Sequence, residues 1–173
     1  DKLMRNKWQP YLTTEERHWV WGVIGRQSAM RLDDDALTHF ARVAHDKDLN
    51  DDMLGWKARA ALRAGNTPKW PVVESAISHM SAEARKDPTW VYWYARALLA
   101  RKKVTPQIQQ EAHAMLEGIA GVRGFYEQLA LEELGRKVTA PARPPAPTAE
   151  EMDAARRNPS LQRALYAIGM GLR

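Results

Sequence analysis

Five histidines, His18, His39, His45, His79 and His113, are the side chains of this 173-residue chain best suited to metal binding or proton transfer, and their spacing serves neither. No two lie four apart and no His-Glu-x-x-His run occurs, so no helical face offers a pair of imidazoles to a metal. The chain has no cysteine, which excludes thiol nucleophiles, disulfides and cysteine metal sites and fits an oxidising compartment. A Gly-x-Ser-x-Gly elbow is missing. The ten glycines are scattered one or two at a time, leaving no phosphate-cradling loop. Asp33-Asp34-Asp35 is a carboxylate cluster, but its place before an apolar segment is that of acidic residues at a positive helix end. No catalytic residue, metal ligand or cofactor is expected.

Arg101-Lys102-Lys103 is the densest basic run. It ends a predicted helix, where cations are favoured by the backbone dipole. Net charge is +5, with 14 basic and 13 acidic side chains in residues 1–95 against 12 and 8 in residues 96–173. The excess in the second half favours anionic partners in general. The basic residues do not gather on one stripe, so nucleic acid is not expected as a partner. No apolar run approaches the roughly 20 residues of a transmembrane helix. A secretory leader is absent from "DKLMRNKWQP", and is expected to have been removed upstream.

The elements that hold these residues read as helices throughout. Thr13-x-x-Glu16 is a capping box ahead of Trp19 to Met30. "LDDDALTHFARVAH" predicts a second helix with Leu37, Phe40, Ala41 and Ala44 on one face. Asn50 opens a third, which stops at Gly65-Asn66. Thr67-Pro68, Asp87-Pro88 and Thr105-Pro106 each place proline in a first turn, predicting the fourth, fifth and sixth. Phe125 to Leu134 makes a seventh, capped by Gly135.

"WKARAAL" at Trp56 and "WYARALL" at Trp93 stand 37 residues apart, and the same step back reaches Trp19. Phe40, Ile77 and Met115 follow these tryptophans by 21 or 22 residues. Two helices and two turns fill such a period, so the predicted fold is all-α, an array of stacked helical hairpins similar to tetratricopeptide repeats. Trp19, Trp56 and Trp93 are expected as core wedges, with the smaller Val23, Ala60 and Ala97 four residues on admitting a facing helix. The repeat domain is assigned to residues 1–137. A proline-rich strap follows over 138–148, then two further helices over 149–173, opened by Thr148-x-x-Glu151 and Asn158-Pro159.

Trp90, Tyr92, Trp93, Ala95, Arg96, Ala97 and Leu98, followed by Phe125, Tyr126, Leu129, Ala130, Glu132, Leu134 and Gly135, carry a resemblance. They are similar to the Trp-x-Tyr-Trp-x-Ala-Arg-Ala-Leu and Phe-Tyr-x-x-Leu-Ala-x-Glu-x-Leu-Gly segments of the soluble lytic murein transglycosylases. "NPSLQRALYAIGMGLR" resembles the linker-domain helix of that family. The resemblance implies a right-handed α-superhelix, a bacterial periplasmic location and peptidoglycan, murein glycan strands with stem peptides, as partner. The family cleaves the β-1,4 bond between N-acetylmuramic acid and N-acetylglucosamine, leaving a 1,6-anhydro end.

Its catalytic segment, Glu-Ser followed by Gly-x-x-Gly-Leu-Met-Gln, has no counterpart here. Glu74-Ser75 has the right dipeptide in an ordinary repeat helix, without the glycines and glutamine that should follow. This chain therefore reads as the non-catalytic superhelical and linker portion, with the catalytic domain of the same polypeptide a further partner expected beyond Arg173. Arg101, Lys102, Lys103 and Arg123 are the expected murein contacts, and Trp19, Trp56, Trp93, Phe125 and Tyr126 the structural anchors. The alternative reading is a tetratricopeptide-like scaffold for a protein partner.

Overall fold

The computed structural model describes residues 2–139 and 142–172. Asp1 of the predicted repeat domain, residues 140–141 of the strap and Arg173 of the last segment lie outside them. Among the described residues the chain is all-helical, without a strand. It divides into two compact units, one ending at Thr139 and one beginning at Ala140.

In the first unit a short turn-helix, Met4–Trp8, and a 3₁₀ turn, Gln9–Tyr11, precede seven α-helices: α1 (Thr14–Met30), α2 (Ala36–Phe40), α3 (Asp51–Arg63), α4 (Trp70–Ser78), α5 (Pro88–Leu99), α6 (Pro106–Ile119) and α7 (Phe125–Glu133). Helix α1 packs on α2 and α3, α3 on α4, α4 on α5, and α5 on both α6 and α7. Neighbours in sequence are thus neighbours in space. One core cluster runs from α1 into α5 and a second joins α5, α6 and α7; Trp93 and Tyr94 pack against both.

Most helix starts follow their caps. Thr13 and Glu16 form the reciprocal box, Glu16 accepting from Thr13 N–H at 2.8 Å and Thr13 Oγ from Glu16 N–H at 3.2 Å. Asn50, Asp87 and Thr105 each accept from a first-turn amide. Gly135, at φ +71°, ends α7 as Arg136 N–H reaches Leu131 C=O and Gly135 N–H reaches Glu132 C=O, both at 2.9 Å. Two boundaries differ from the sequence reading. Helix α2 stops at Phe40, because Arg42 and Val43 N–H make only tight turn bonds to His39 and Phe40 C=O and Ala44 N–H is taken by His18 Nε2 of α1. Helix α4 begins at Trp70, three residues after Thr67, because Lys69 N–H is held by Ala61 C=O at 2.9 Å.

The end of α1 uses the same closing motif as α7 with an unfavourable residue. Asp33 N–H bonds to Ser28 C=O at 3.0 Å and Leu32 N–H to Ala29 C=O at 3.1 Å, which puts Leu32 at φ +64°. A left-handed leucine costs about 1–2 kcal/mol. Its side chain is exposed and loses little on removal. Leu32→Gly is therefore expected to stabilise the first unit by about 1 kcal/mol in urea denaturation; a loss of stability would show that this turn is not under strain.

In the second unit, α8 (Ala149–Arg157) and α9 (Pro159–Gly169) pack on each other. Thr148 and Glu151 form the capping box of α8, and Asn158 caps α9 by accepting from Ser160 and Leu161 N–H. Residues 142–148 contain no helix.

Candidate functional site

The first expectation about the site to change is the role of Trp19. Helix α1 turns His18, Trp21, Gly22, Gly25, Ser28 and Ala29 inward, a spacing of three and four that defines one face. Trp19 and Val23 fall on the other side, and Trp19 is 46% exposed whereas Trp21 is 2% exposed. The reason is close approach. A Cβ on Gly22 would meet Leu49 at 2.4 Å, and one on Gly25 would meet the Phe40 ring at 3.0 Å. Trp56 and Trp93 are half-buried against the first core, and Ala60 and Ala97 are buried beside them. The 37-residue register thus holds for burial at two of its three tryptophans.

Exposed Trp19 borders the loop from Ala44 to Asn50, which joins α2 to α3. This loop is pinned from several directions. His18 of α1 accepts from Ala44 N–H through Nε2 at 3.2 Å, and its Nδ1 lies 2.6 Å from Asp48 Oδ2. An amide can only donate, so the network places the imidazole proton on Nδ1, donating to Asp48. Asp46 points the other way, 2.5 Å from Lys57 Nζ of α3 and accepting from Ser75 Oγ of α4 at 2.9 Å. Val43 and Leu49 are buried at its two ends, and Asn50 caps α3. Three helices therefore fix one irregular segment, the usual architecture of a binding loop on a rigid scaffold.

Two clefts open beside the loop. One, of about 570 Å³, has an apolar floor of Leu12, Val20 and Leu49, with Trp19, Glu15 and Lys47 among its walls. The other, of about 310 Å³, is lined by His45, Asp46, Lys47, Lys57, Ser75 and His79 among others. The first can take a flat ligand with one apolar face, since an exposed indole offers a broad apolar surface and a polar N–H tip. The second is polar and carries more positive than negative side chains.

The hydrogen bond from His18 holds the Asp48 carboxyl below the usual aspartate range, outweighing its partial burial. A depressed aspartate contributes stability that is complete above its unfolded value and is lost as pH falls through its lower folded value. The Asp48 carboxyl resonance is accordingly expected to titrate below about pH 3.9, and to move up towards that value in His18→Phe. An unchanged midpoint in the variant would remove His18 as the cause.

A second polar cluster sits where α1 meets α2. Ser28 Oγ donates to Asp35 at 2.8 Å and lies 3.3 Å from Asp33, while His39 Nε2 is 3.1 Å from Asp35. Ser28 above all, against a smaller opposing effect of burial, holds the Asp35 carboxyl low. Here aspartate stands between serine and histidine, so the imidazole cannot take the serine proton as it does in a hydrolase triad. The cluster anchors the start of α2. Among the described residues no group of three His, Asp or Glu side chains is arranged to hold a metal ion.

The predicted murein contacts are not brought together. Arg101 makes a two-point pair with Glu74, at 2.5 and 3.0 Å, tying the end of α5 to α4 and raising its own pKa. That pairing also gives Glu74 a structural role. Lys102, Lys103 and Arg123 are exposed, with α6 between the lysines and Arg123. Fourteen residues of helix hold those ends about 20 Å apart.

The segments that carry the family resemblance do meet. Trp93 Nε1–H donates to Tyr126 Oη at 3.2 Å, Arg96 Nη1–H donates to Tyr92 Oη at 2.9 Å, and Arg96 pairs with Glu133 of α7. Burial pushes the Tyr92 phenol up. The rings of Tyr92 and Tyr126 lie 5.6 Å apart. The ion pair is made by Glu133, next to the motif residue Glu132, and one detail departs from the sequence reading: Phe125 is 69% exposed, touching Tyr126 edge-on at 5.2 Å. Phe125 opens α7 on its outer side, so it anchors no core. Trp56 finds its contacts elsewhere, with the Arg59 guanidinium 5.1 Å from its ring and 4.8 Å from that of Trp90.

Among the described residues no helix is long and apolar enough to cross a membrane. Compared with known proteins, the chain matches no family model and no curated sequence.

Proposed function

We propose that this chain is a non-catalytic helical scaffold of a periplasmic peptidoglycan lytic transglycosylase, whose hairpins continue as a right-handed superhelix and position murein for cleavage. The observation that carries the reading is the lock between α5 and α7. Trp93 and Tyr126, Tyr92, Arg96 and the α7 carboxylate form one interface, and four of those five residues stand at the matched positions of the two segments that resemble this family. Motif residues that engage one another across two helices support a shared packing solution.

The reaction of the parent family needs a glutamic acid that gives and then takes a proton at the glycosidic oxygen. Among the described residues Glu74, the one glutamate in a Glu-Ser pair, is taken by Arg101, while Glu16 caps α1 and Asp46 is paired with Lys57. The contribution assigned to this chain is therefore binding. The loop from Ala44 to Asn50, with Trp19 on one side and the polar cleft on the other, is the surface best built for a polymer that alternates sugar faces and carboxylate-bearing peptides.

Co-sedimentation with purified sacculi tests this. The chain is expected to pellet with sacculi, to do so less at high salt, and to release no anhydro-muropeptides. Failure to pellet at low salt, or release of anhydro products by this chain alone, would each contradict the assignment.

A further inference from the structure

We propose that the polar cleft between the Ala44–Asn50 loop, α3 and α4 is an oxyanion site that takes a carboxylate or phosphate group. The argument starts at Lys57. Its ammonium has three donors, and one goes to Asp46 Oδ1 at 2.5 Å. The side chain is largely buried, as is that of Asp46, so the remaining donors face little bulk water. Asp46 is itself answered twice, by Lys57 and by Ser75 Oγ at 2.9 Å.

The lining then decides the sign of the ligand. Lys47 and Lys57 set against Asp46 leave one net positive charge. His79 donates through Nδ1 to the Ser75 carbonyl at 2.8 Å, so its Nε2 is an acceptor and the donors left for an anion are those of the two lysines. His45 contributes only an edge contact between its ring and that of His18, at 5.9 Å. Donors therefore outnumber acceptors around a cleft of about 310 Å³. A cation would meet two ammonium groups and an apolar ligand would desolvate them; an oxyanion gains charge-assisted hydrogen bonds to both.

The site is also held ready. The loop wall cannot swing without breaking the Asp46 pair on one side or the His18 bonds to Ala44 and Asp48 on the other, so little ordering is left for the ligand to impose. This inference stands on the cleft alone and does not need the cell-wall reading. If that reading also holds, the carboxylates of muramic acid and of the stem peptides are the anions presented.

The test is a ¹H–¹⁵N titration of the whole chain at low salt with three probes: inorganic phosphate, N-acetylmuramic acid and, as the neutral control, N-acetylglucosamine. At least one anion is expected to move the backbone amides of His45, Lys57 and His79 saturably, while the neutral sugar leaves them in place. The His45→Gln/His79→Gln variant alters exposed side chains only and keeps the Lys57–Asp46 pair. That variant removes no lysine donor and is expected to keep binding the anion, whereas Lys47→Ala is expected to lower the affinity about tenfold or more. Phosphate binding without N-acetylmuramic acid binding would uphold the site and count only against murein as its ligand. Amides unmoved by both anions, equal shifts with the neutral sugar, or unchanged affinity in Lys47→Ala would overturn the proposal.

Discussion

Replacing Lys57 with methionine is expected to lower the stability of the first unit by about 3 kcal/mol, the largest loss foreseen for any polar side chain here. Lys57 and Asp46 are 12% and 7% exposed at their side chains, so each is largely withdrawn from water and relies on the other. Methionine fills the same length and leaves Asp46 with Ser75 alone. The cost arises from the stranded carboxylate more than from the missing attraction. Asp46→Asn/Lys57→Met should recover most of the stability, since a neutral amide can still accept from Ser75. For a unit of this size the single variant would melt about 10 °C lower. A Lys57→Met protein within 1 kcal/mol of the parent in urea would mean that the pair is solvated and the loop loosely held.

Phe40→Ala is expected to cost about 4 kcal/mol. Phe40 is fully buried and lies flat on the Gly25 backbone, where an added Cβ would sit 3.0 Å from three ring atoms. Protein interiors collapse only partly around such a deletion, so the loss exceeds the transfer energy of the ring. The same contact makes a second outcome specific. Gly25→Ala should destabilise the parent despite the roughly 1 kcal/mol that alanine gains over glycine in a helix, because the ring has no room to retreat. In the Phe40→Ala background the sign should reverse, with Gly25→Ala stabilising by filling part of the void. Additive effects of the two substitutions would show that the ring and the glycine are not in contact.

These two sites show what could and could not be read from residues alone. Phe40 was legible as an inward position from apolar spacing, and the caps at Thr13, Asn50, Asp87, Thr105, Thr148 and Asn158 were legible because a cap is settled within three or four residues. Trp19 was misplaced because a constant interval counts indoles without asking which side of α1 carries them. The signal that places Trp21 inside was present in Gly22 and Gly25, whose missing side chains mark the face where Leu49 and Phe40 approach.

The pinned Ala44–Asn50 loop was not legible. Its fixing contacts join His18 to Asp48 and Asp46 to Ser75 across 30 and 29 residues, and such pairs exist only once three helices have packed. For the same reason the Arg101-Lys102-Lys103 run looked like a contact surface in sequence, while in the fold Arg101 is spent on Glu74 and α6 separates Lys102 and Lys103 from Arg123.

Hydrogen–deuterium exchange of the intact chain with and without soluble glycan strands released from sacculi addresses the central claim, that binding is the task and the Ala44–Asn50 loop its surface. The account predicts slower exchange in residues 44–50, at the start of α1 around Trp19 and in the segments of α3 and α4 facing the polar cleft, with α6 and α7 unchanged. Protection confined to residues 101–103 or 123, or no protection under conditions where the strands saturate the chain, would contradict it.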